Sequence, residues 1–368
     1  MTTTSTNTHV TEQKAFALLA ELQLARGVSG EPSLRFADAV DTLSMLSETA
    51  LKDFLTYAET QRVLGRTLFV LRSDLPGNVF GDYLEQRSAE EFRRVARLLA
   101  SAQRILASFE GRGLPVVIMK TLDHWPDTGS DVDLLTSATD TQVLSIFKDL
   151  DATPQAPSWG DRLAHKFNFR MAELPELVEV HVGCLGQTGE HRKLASEVVS
   201  RRQWKTFGRS HFPVPSCEDQ VVIATLQRMY RHFYIRLTDI LNIYGLLSTN
   251  QINFDSLRAI SERAGIWPGV ATLLTVSHSH AVAFGAPAIE LRREVADAAR
   301  FDFKKTHLDR RFVRVPLVPE AAKLYFHQLA GNGKRGDLRA FGRLTMLPLL
   351  AAAAYVSFRL TGDDKGVW

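Results

Sequence analysis

The feature that most constrains this chain is a short apolar run followed by alternating acidic and apolar residues. Residues 116–119 (Val-Val-Ile-Met) predict a buried strand, and a connector with Pro and Gly leads to 131–135 (Asp-Val-Asp-Leu-Leu). Side chains at i and i+2 of a strand share a face, so we expect Asp131 and Asp133 to project together. Neighbouring carboxylates repel each other, and a divalent cation between them removes that cost. The pattern therefore predicts a site for Mg2+ or Mn2+, which prefer oxygen ligands.

A third acidic residue lies in a predicted β-hairpin further along the chain. Residues 166–171 and 177–182 both alternate polar and apolar positions, and the turn between them contains Pro175. Glu179 and His181 would then share one face of the second strand, opposite three valines. A hairpin with one solvated face has the same pattern, so a functional role for Glu179 depends on the two aspartates upstream.

Together these segments resemble the uncharacterised nucleotidyltransferase family of bacteria, which is part of the polymerase-beta-type superfamily. That family has Lys-Gly after the first strand, then Tyr-Pro, then Arg-x-x-Asp-Ile-Asp-Leu-Leu, and later an acid followed two residues on by His. The matching positions are Lys120, Pro126, Asp131, Asp133, Leu134, Leu135, Glu179 and His181. Two positions depart from the pattern: Thr121 stands where the family has Gly, and no Arg lies just before Asp131.

The resemblance implies a nucleotidyltransferase that moves a nucleoside monophosphate from a nucleoside triphosphate, expected to be ATP, to an acceptor hydroxyl or phosphate. Asp131, Asp133 and Glu179 would be the catalytic residues and would hold two Mg2+ (or Mn2+) ions, and Glu179 would also help to deprotonate the acceptor. The acceptor stays open among small molecules, sugars, peptides, tRNA and proteins. The residues expected to contact the nucleotide are Lys120, Ser130, His181 and Arg236.

Two further interpretations fit the same residues. A kinase could use the same acids to transfer the terminal phosphoryl group, and the sequence does not separate the two reactions. Alternatively, Thr121 and the missing Arg could mark a decayed site in a helical binding protein without catalytic activity. Transfer of the α- or the γ-label from ATP distinguishes a nucleotidyltransferase from a kinase. Mg2+-dependent nucleotide binding tests the interpretation without catalytic activity.

The expected fold class is α+β, with a small mixed sheet of the nucleotidyltransferase type between helical regions. Residues 221–247 predict one long helix, in which Arg236 either contacts phosphates or pairs with Asp239 three residues later. The expected division is a disordered N-terminus (1–10), an N-terminal helical region (11–111), a nucleotidyltransferase-like core (112–215), a helical domain (216–300), and a basic connector with apolar C-terminal helices (301–368).

Composition gives weaker indications about the surroundings of the protein. The net charge of +3 argues neither for nor against a nucleic-acid partner, and two cysteines suit the reducing cytosol, so we expect a cytoplasmic protein. The polar N-terminus lacks the charged and apolar segments of a signal peptide. Residues 345–360 are nearly all apolar but too short to span a membrane, which predicts a buried terminal helix, with peripheral membrane contact as the alternative.

Overall fold

The computed structural model describes residues 11–25, 33–75, 80–309, 311–349, 352 and 356. The N-terminus that was predicted to be disordered, residues 1–10, lies outside this part of the chain. The helices are α1 (Glu12–Leu24), α2 (Leu34–Ser44), α3 (Glu48–Thr60), α4 (Leu64–Asp74), α5 (Gly81–Glu110), α6 (Asp140–Asp149), α7 (Trp159–Ala164), α8 (Arg192–Ser200), α9 (Cys217–Gln227), α10 (Leu237–Ser248), α11 (Phe254–Ala264), α12 (Trp267–Ala283), α13 (Arg293–Ala298), α14 (Ala322–Lys334) and α15 (Leu338–Thr345). The strands are β1 (Val116–Met119), β2 (Asp131–Thr136), β3 (Thr153–Pro154), β4 (Lys166–Met171), β5 (Leu174–Val182), β6 (Gln203–Phe207), β7 (Ser210–Val214), β8 (Tyr234–Ile235), β9 (His307–Asp309) and β10 (Phe312–Arg314).

The predicted α+β class is confirmed, with a five-stranded mixed sheet at the centre. Its strand order is β1-β2-β5-β4-β3, so the two strands that carry the acidic residues lie side by side. β1 and β2 are antiparallel, β2 and β5 are parallel, and β4 and β5 form the predicted hairpin. The parallel β2–β5 pair requires a crossover, which α6, β3, α7 and β4 provide.

One face of the sheet is covered by an apolar core that includes the last turns of α5 together with α6 and the β6–β7 hairpin. Val132, Leu134 and Val180 are at most 1% exposed and belong to this core. Phe147 of α6 stacks on Phe169 of β4 with ring centroids 4.0 Å apart. The apolar residues at alternate positions of β2 and β5 therefore face this core, as the sequence pattern predicted. Their burial fixes the strand register.

The opposite face of the sheet meets a larger helical core. Val117 and Met119 of β1 and Leu135 of β2 pack into it, together with apolar residues of α1–α4 and α8–α12. The odd-numbered positions of β2 and β5 point to this side. The acidic residues consequently lie between the sheet and the helical regions and are not on a solvated sheet face.

The prediction of one continuous helix over residues 221–247 is wrong. α9 ends at Gln227, a π-helical turn follows, and Phe233 adopts a left-handed conformation with φ of 54°. β8 then pairs with β10, which also pairs with β9. Both β9 and β10 lie in the segment that was predicted to be a basic connector. The break depends on a partner strand far along the chain, so the local apolar pattern could not reveal it.

The C-terminal segment is described only in part. α15 begins after Asp337, whose side chain accepts a hydrogen bond from the backbone N–H of Ala340, a standard helix N-cap. Of the predicted terminal helix at 345–360, residues 345–349, 352 and 356 lie within the described part. Among the described helices, none has the length and apolar character needed to cross a bilayer.

Candidate active site

Three acidic side chains converge where β1, β2 and β5 adjoin. Asp133 pairs with Met119 of β1 on one side and with Glu179 of β5 on the other. Asp131 precedes Asp133 by two residues on the same face. Carboxylate oxygens of Asp133 and Glu179 and a ring nitrogen of His181 all lie within 4.8 Å of one another. Glu179 thus points towards Asp133.

Thr121, one of the two departures from the family pattern, holds the backbone that carries both aspartates. Its side chain is 1% exposed, and its hydroxyl donates to the carbonyl oxygen of Asp131 at 3.0 Å. The same hydroxyl accepts the backbone N–H of Asp133 at 2.9 Å. Thr121 therefore extends the β1–β2 pairing by one more pair of hydrogen bonds. The side chain is buried and its hydroxyl is committed to the backbone of β2.

The connector also needs a glycine close to this point. A Cβ atom added to Gly129 would lie 3.2 Å from the carbonyl oxygen of Asp131 and 3.4 Å from the Cα of Thr121. The backbone N–H of Gly129 donates to the carbonyl oxygen of Thr121 at 3.1 Å. Because the two chain segments approach this closely, a side chain at position 129 would push β2 away from the end of β1.

Two lysines balance the acidic cluster. Lys120 adopts a left-handed backbone conformation with φ of 56°, and its ammonium lies 2.5 Å from Oδ1 of Asp133. Lys166 of β4 is buried, and its ammonium contacts Glu179 at 2.9 Å and Asp161 at 3.0 Å. Each cation neutralises a carboxylate that would otherwise face its neighbours in a poorly solvated site.

The pKa values of the three acids are moved apart by this environment. Burial raises the pKa of Asp133 to about 6, although Lys120 opposes the rise. Burial and the charge of Glu179 raise the pKa of Asp131. Burial also disfavours ionised Glu179, but Lys166 and Lys120 outweigh it and bring the pKa of Glu179 below its usual value. Asp133 therefore holds a proton more readily than Glu179 does.

His181 lies at the inner end of the cluster. It is 5% exposed, and its Nε2 is 3.9 Å from Oδ1 of Asp133. Neither ring nitrogen has a hydrogen-bond partner within the described part of the chain. Burial, reinforced by Lys120 and Lys166, holds the pKa of His181 well below its usual value, so the imidazole is neutral at pH 7.

Two arginines face the acids without a carboxylate partner of their own among the described residues. Arg62, in the loop between α3 and α4, acts electrostatically on Asp131 and lines a cavity of about 240 Å3 together with Ser130. Arg231, in the π-helical turn, acts on Glu179 and lines a smaller cavity of about 40 Å3 beside Lys120 and His181. Sequence reasoning missed Arg62, because nothing in its local pattern indicates contact with a strand 70 positions away.

Arg94 of α5 reaches the connector at the place where the family pattern has an arginine. Its guanidinium donates to Oγ1 of Thr128 at 2.9 Å and to the carbonyl oxygen of Gly129 at 3.4 Å. It also pairs with Glu91 and Glu176. The family pattern has its arginine three residues before Asp131, at position 128 of this chain. The guanidinium of Arg94, from α5, therefore lies beside the position where this chain has no arginine.

Two other residues, Ser130 and Arg236, were expected to contact the nucleotide. The hydroxyl of Ser130 donates to Oδ2 of Asp131 at 3.0 Å. The guanidinium of Arg236 faces the rings of Tyr234 and Phe312, with its carbon 5.4 and 5.5 Å from the two ring centroids. The alternative role of Arg236, a side-chain pair with Asp239, is not observed, because Asp239 pairs with buried Arg228 at 2.8 Å and accepts the backbone N–H of Arg236.

The site consists of a parallel strand pair that carries three carboxylates, two of them in an Asp-x-Asp motif, with cations around them. This arrangement is expected of a nucleotidyltransferase. The sequence model of the uncharacterised nucleotidyltransferase family matches residues 47–280, well over half of the chain, and the protein belongs to this family of transferases. The match extends well beyond both ends of the segment from Lys120 to His181 that carries the matching motif positions. No curated protein matches this chain.

A comparison with solved structures finds the solution structure of the antibiotic-resistance factor ANT(2'')-Ia. The similarity has a TM-score of 0.32 and 13% sequence identity, and it covers 46% of this chain and 91% of the other.

Proposed function

We propose that this protein transfers a nucleoside monophosphate from a nucleoside triphosphate, ATP in the first instance, to an acceptor hydroxyl or phosphate. The observation that carries the proposal is the adjacent pairing of Asp133 with Glu179, with Asp131 on the same face. Family membership supports the reaction class.

The donor set fits a divalent metal. Asp133 and Glu179 offer carboxylate oxygens within one cluster, and Asp131, on the same strand face, is close enough to feel the charge of Glu179. Carboxylate oxygens are the ligands that Mg2+ and Mn2+ prefer. When bound, such ions would screen the charge that develops on the transferring phosphoryl group and on the attacking oxygen. The side chains of this chain then have to bind the triphosphate, orient the acceptor and accept its proton.

Triphosphate binding is assigned to the cations at the edge of the cluster. Lys120, Arg62 and Arg231 surround the acids, and neither arginine is committed to a carboxylate among the described residues. Phosphate oxygens are anionic and accept several hydrogen bonds, so guanidinium and ammonium donors around a cation-binding cluster suit a metal-bound triphosphate. Ser130 borders the same cavity as Arg62 and is placed to contact a phosphate or the acceptor.

The reaction needs one proton acceptor. The acceptor oxygen attacks the α-phosphorus, the bond from the α-phosphorus to the bridging oxygen of the β-phosphate breaks, and pyrophosphate leaves. Sequence reasoning assigned removal of the acceptor proton to Glu179. Asp131 suits this role better, because its pKa is raised whereas the ion pair with Lys166 lowers the pKa of Glu179.

The test uses ATP labelled at either the α- or the γ-phosphate, with a whole-cell extract that contains small molecules, RNA and proteins as the source of acceptors. We expect α-label in a new product, with pyrophosphate release, for the wild type and for Asp151→Asn, an exposed position with φ of 53° that Asn tolerates. Asp133→Asn should abolish the labelled product. Transfer of γ-label would show a kinase instead, and label transfer that survives Asp133→Asn would refute the proposed site.

A further inference from the structure

The cluster contains a donor that carboxylate chemistry alone does not explain. His181 is buried beside Asp133 and Glu179, and both of its ring nitrogens lack a partner within the described residues. A buried polar group without a hydrogen bond carries a free-energy cost. A histidine with a purely structural role here would carry that cost without compensation. A ligand bound to a ring nitrogen would offset it.

The position of His181 follows from the strand. Glu179 and His181 are separated by one residue on β5, so both side chains project to the face that carries Asp133. Nε2 of His181 is 3.9 Å from Oδ1 of Asp133, and the three donor atoms lie within 4.8 Å of one another. Ligand atoms on one ion with bonds of about 2.0–2.2 Å lie roughly 3–4.4 Å apart. The three donor atoms are therefore close to the separations that one shared cation requires.

We propose that His181 is a metal ligand that forms, with Asp133 and Glu179, a mixed nitrogen–oxygen cation site at the inner end of the cluster. Such a donor set selects ions that accept imidazole, such as Mn2+ or Zn2+, over Mg2+, which prefers oxygen ligands. Asp131, two residues nearer the start of β2, is left to bind a second cation or to act as the base. This inference rests on the proposed function, since it names the metal chemistry of the same site.

The test reads the metal directly and does not depend on turnover. Mn2+ is added alone to the full chain at pH 8, its affinity and stoichiometry are measured by calorimetry, and pulsed electron paramagnetic resonance detects nitrogen coupled to the bound ion. Mg2+ is titrated in parallel. The expected wild-type result is nitrogen coupling and Mn2+ binding at least tenfold tighter than Mg2+ binding.

His181→Asn is compared with His165→Asn, a half-exposed histidine that pairs with Asp140 outside the cluster. The first substitution should remove the nitrogen coupling and weaken Mn2+ binding by roughly 10- to 100-fold, with a much smaller effect on Mg2+. The second should change neither. Mn2+ bound to the wild type without nitrogen coupling would overturn the inference and leave the carboxylate site standing. Absence of bound Mn2+ would overturn both the histidine ligand and the carboxylate metal site. The wild-type spectrum distinguishes these outcomes even if His181→Asn fails to fold.

Discussion

The ion pair between Lys120 and Asp133 predicts that replacement of Lys120 changes the affinities for Mn2+ and for ATP in opposite directions. As the structure stands, the Lys120 ammonium lies 2.5 Å from an oxygen that a divalent cation would need, and the two side chains are only 18% and 12% exposed. Replacement of Lys120 by Met removes this competitor and keeps the length of the side chain. Mn2+ alone should then bind more tightly, whereas ATP with Mg2+ should bind more weakly, because a phosphate partner is lost.

The size of the effect follows from the geometry. Two unit charges 2.5 Å apart attract each other by about 6–7 kcal/mol at an effective dielectric constant of about 20. Desolvation and side-chain entropy cancel most of this attraction, so that a hydrogen bond between charged groups contributes about 1.5–3 kcal/mol net. Release of Asp133 from Lys120 should therefore raise the affinity for Mn2+ roughly 10- to 150-fold.

The assay is calorimetric titration of Mn2+ into each variant at pH 8. This pH is chosen because loss of Lys120 raises the pKa of Asp133 above about 6, and the carboxylate must remain ionised. Lys148→Met, at an exposed position on α6, is the matched control and should leave both affinities unchanged. If Lys120→Met left the affinity for Mn2+ unchanged or lowered it, Lys120 would not compete with a cation for Asp133, and the assignment of the site would fail.

Three further predictions concern the same fold and site. Affinity for Mn2+ should rise as the pH increases through about 6 and then level off, because a proton on Asp133 competes with the cation below that pH; titrations between pH 5 and 8 that show no change would contradict this. Arg62→Gln should weaken binding of ATP with Mg2+ by roughly 10-fold or more and leave Mn2+ binding at least as tight, as measured by the same calorimetry. Phe147→Ala should lower the free energy of unfolding in urea by about 3–5 kcal/mol, since Phe147 is fully buried against Phe169, and a loss below about 1 kcal/mol would count against the described core.

The strand that carries each acid could be predicted from local patterns. Alternation of acidic and apolar residues placed Asp131 and Asp133 on one face and the valines of β5 on the other, and the structure agrees. This works because a strand with one buried apolar face must repeat every second residue. The family resemblance then supplied what periodicity cannot, namely that two separate strands are neighbours in the sheet.

The parts of the site that the sequence did not reveal depend on long-range contacts. Arg62 and Arg94 come from the N-terminal helical region and meet the connector before β2 only after the helices pack on the sheet. The break after α9 likewise requires β8 to pair with β10. No window of a few residues carries this information, so helical propensity alone predicted one uninterrupted helix.

The most direct test of the whole account is a crystal of the full chain soaked with Mn2+ and a non-hydrolysable ATP analogue, with the metal located by its anomalous scattering. We expect Mn2+ bonded to Asp133 and Glu179, with Asp131 on the same or a second ion, Lys120 moved from Asp133 to a phosphate, and Arg62 or Arg231 on the triphosphate. Absence of an anomalous peak between these carboxylates, with Lys120 still paired to Asp133 and the nucleotide bound elsewhere, would contradict the account.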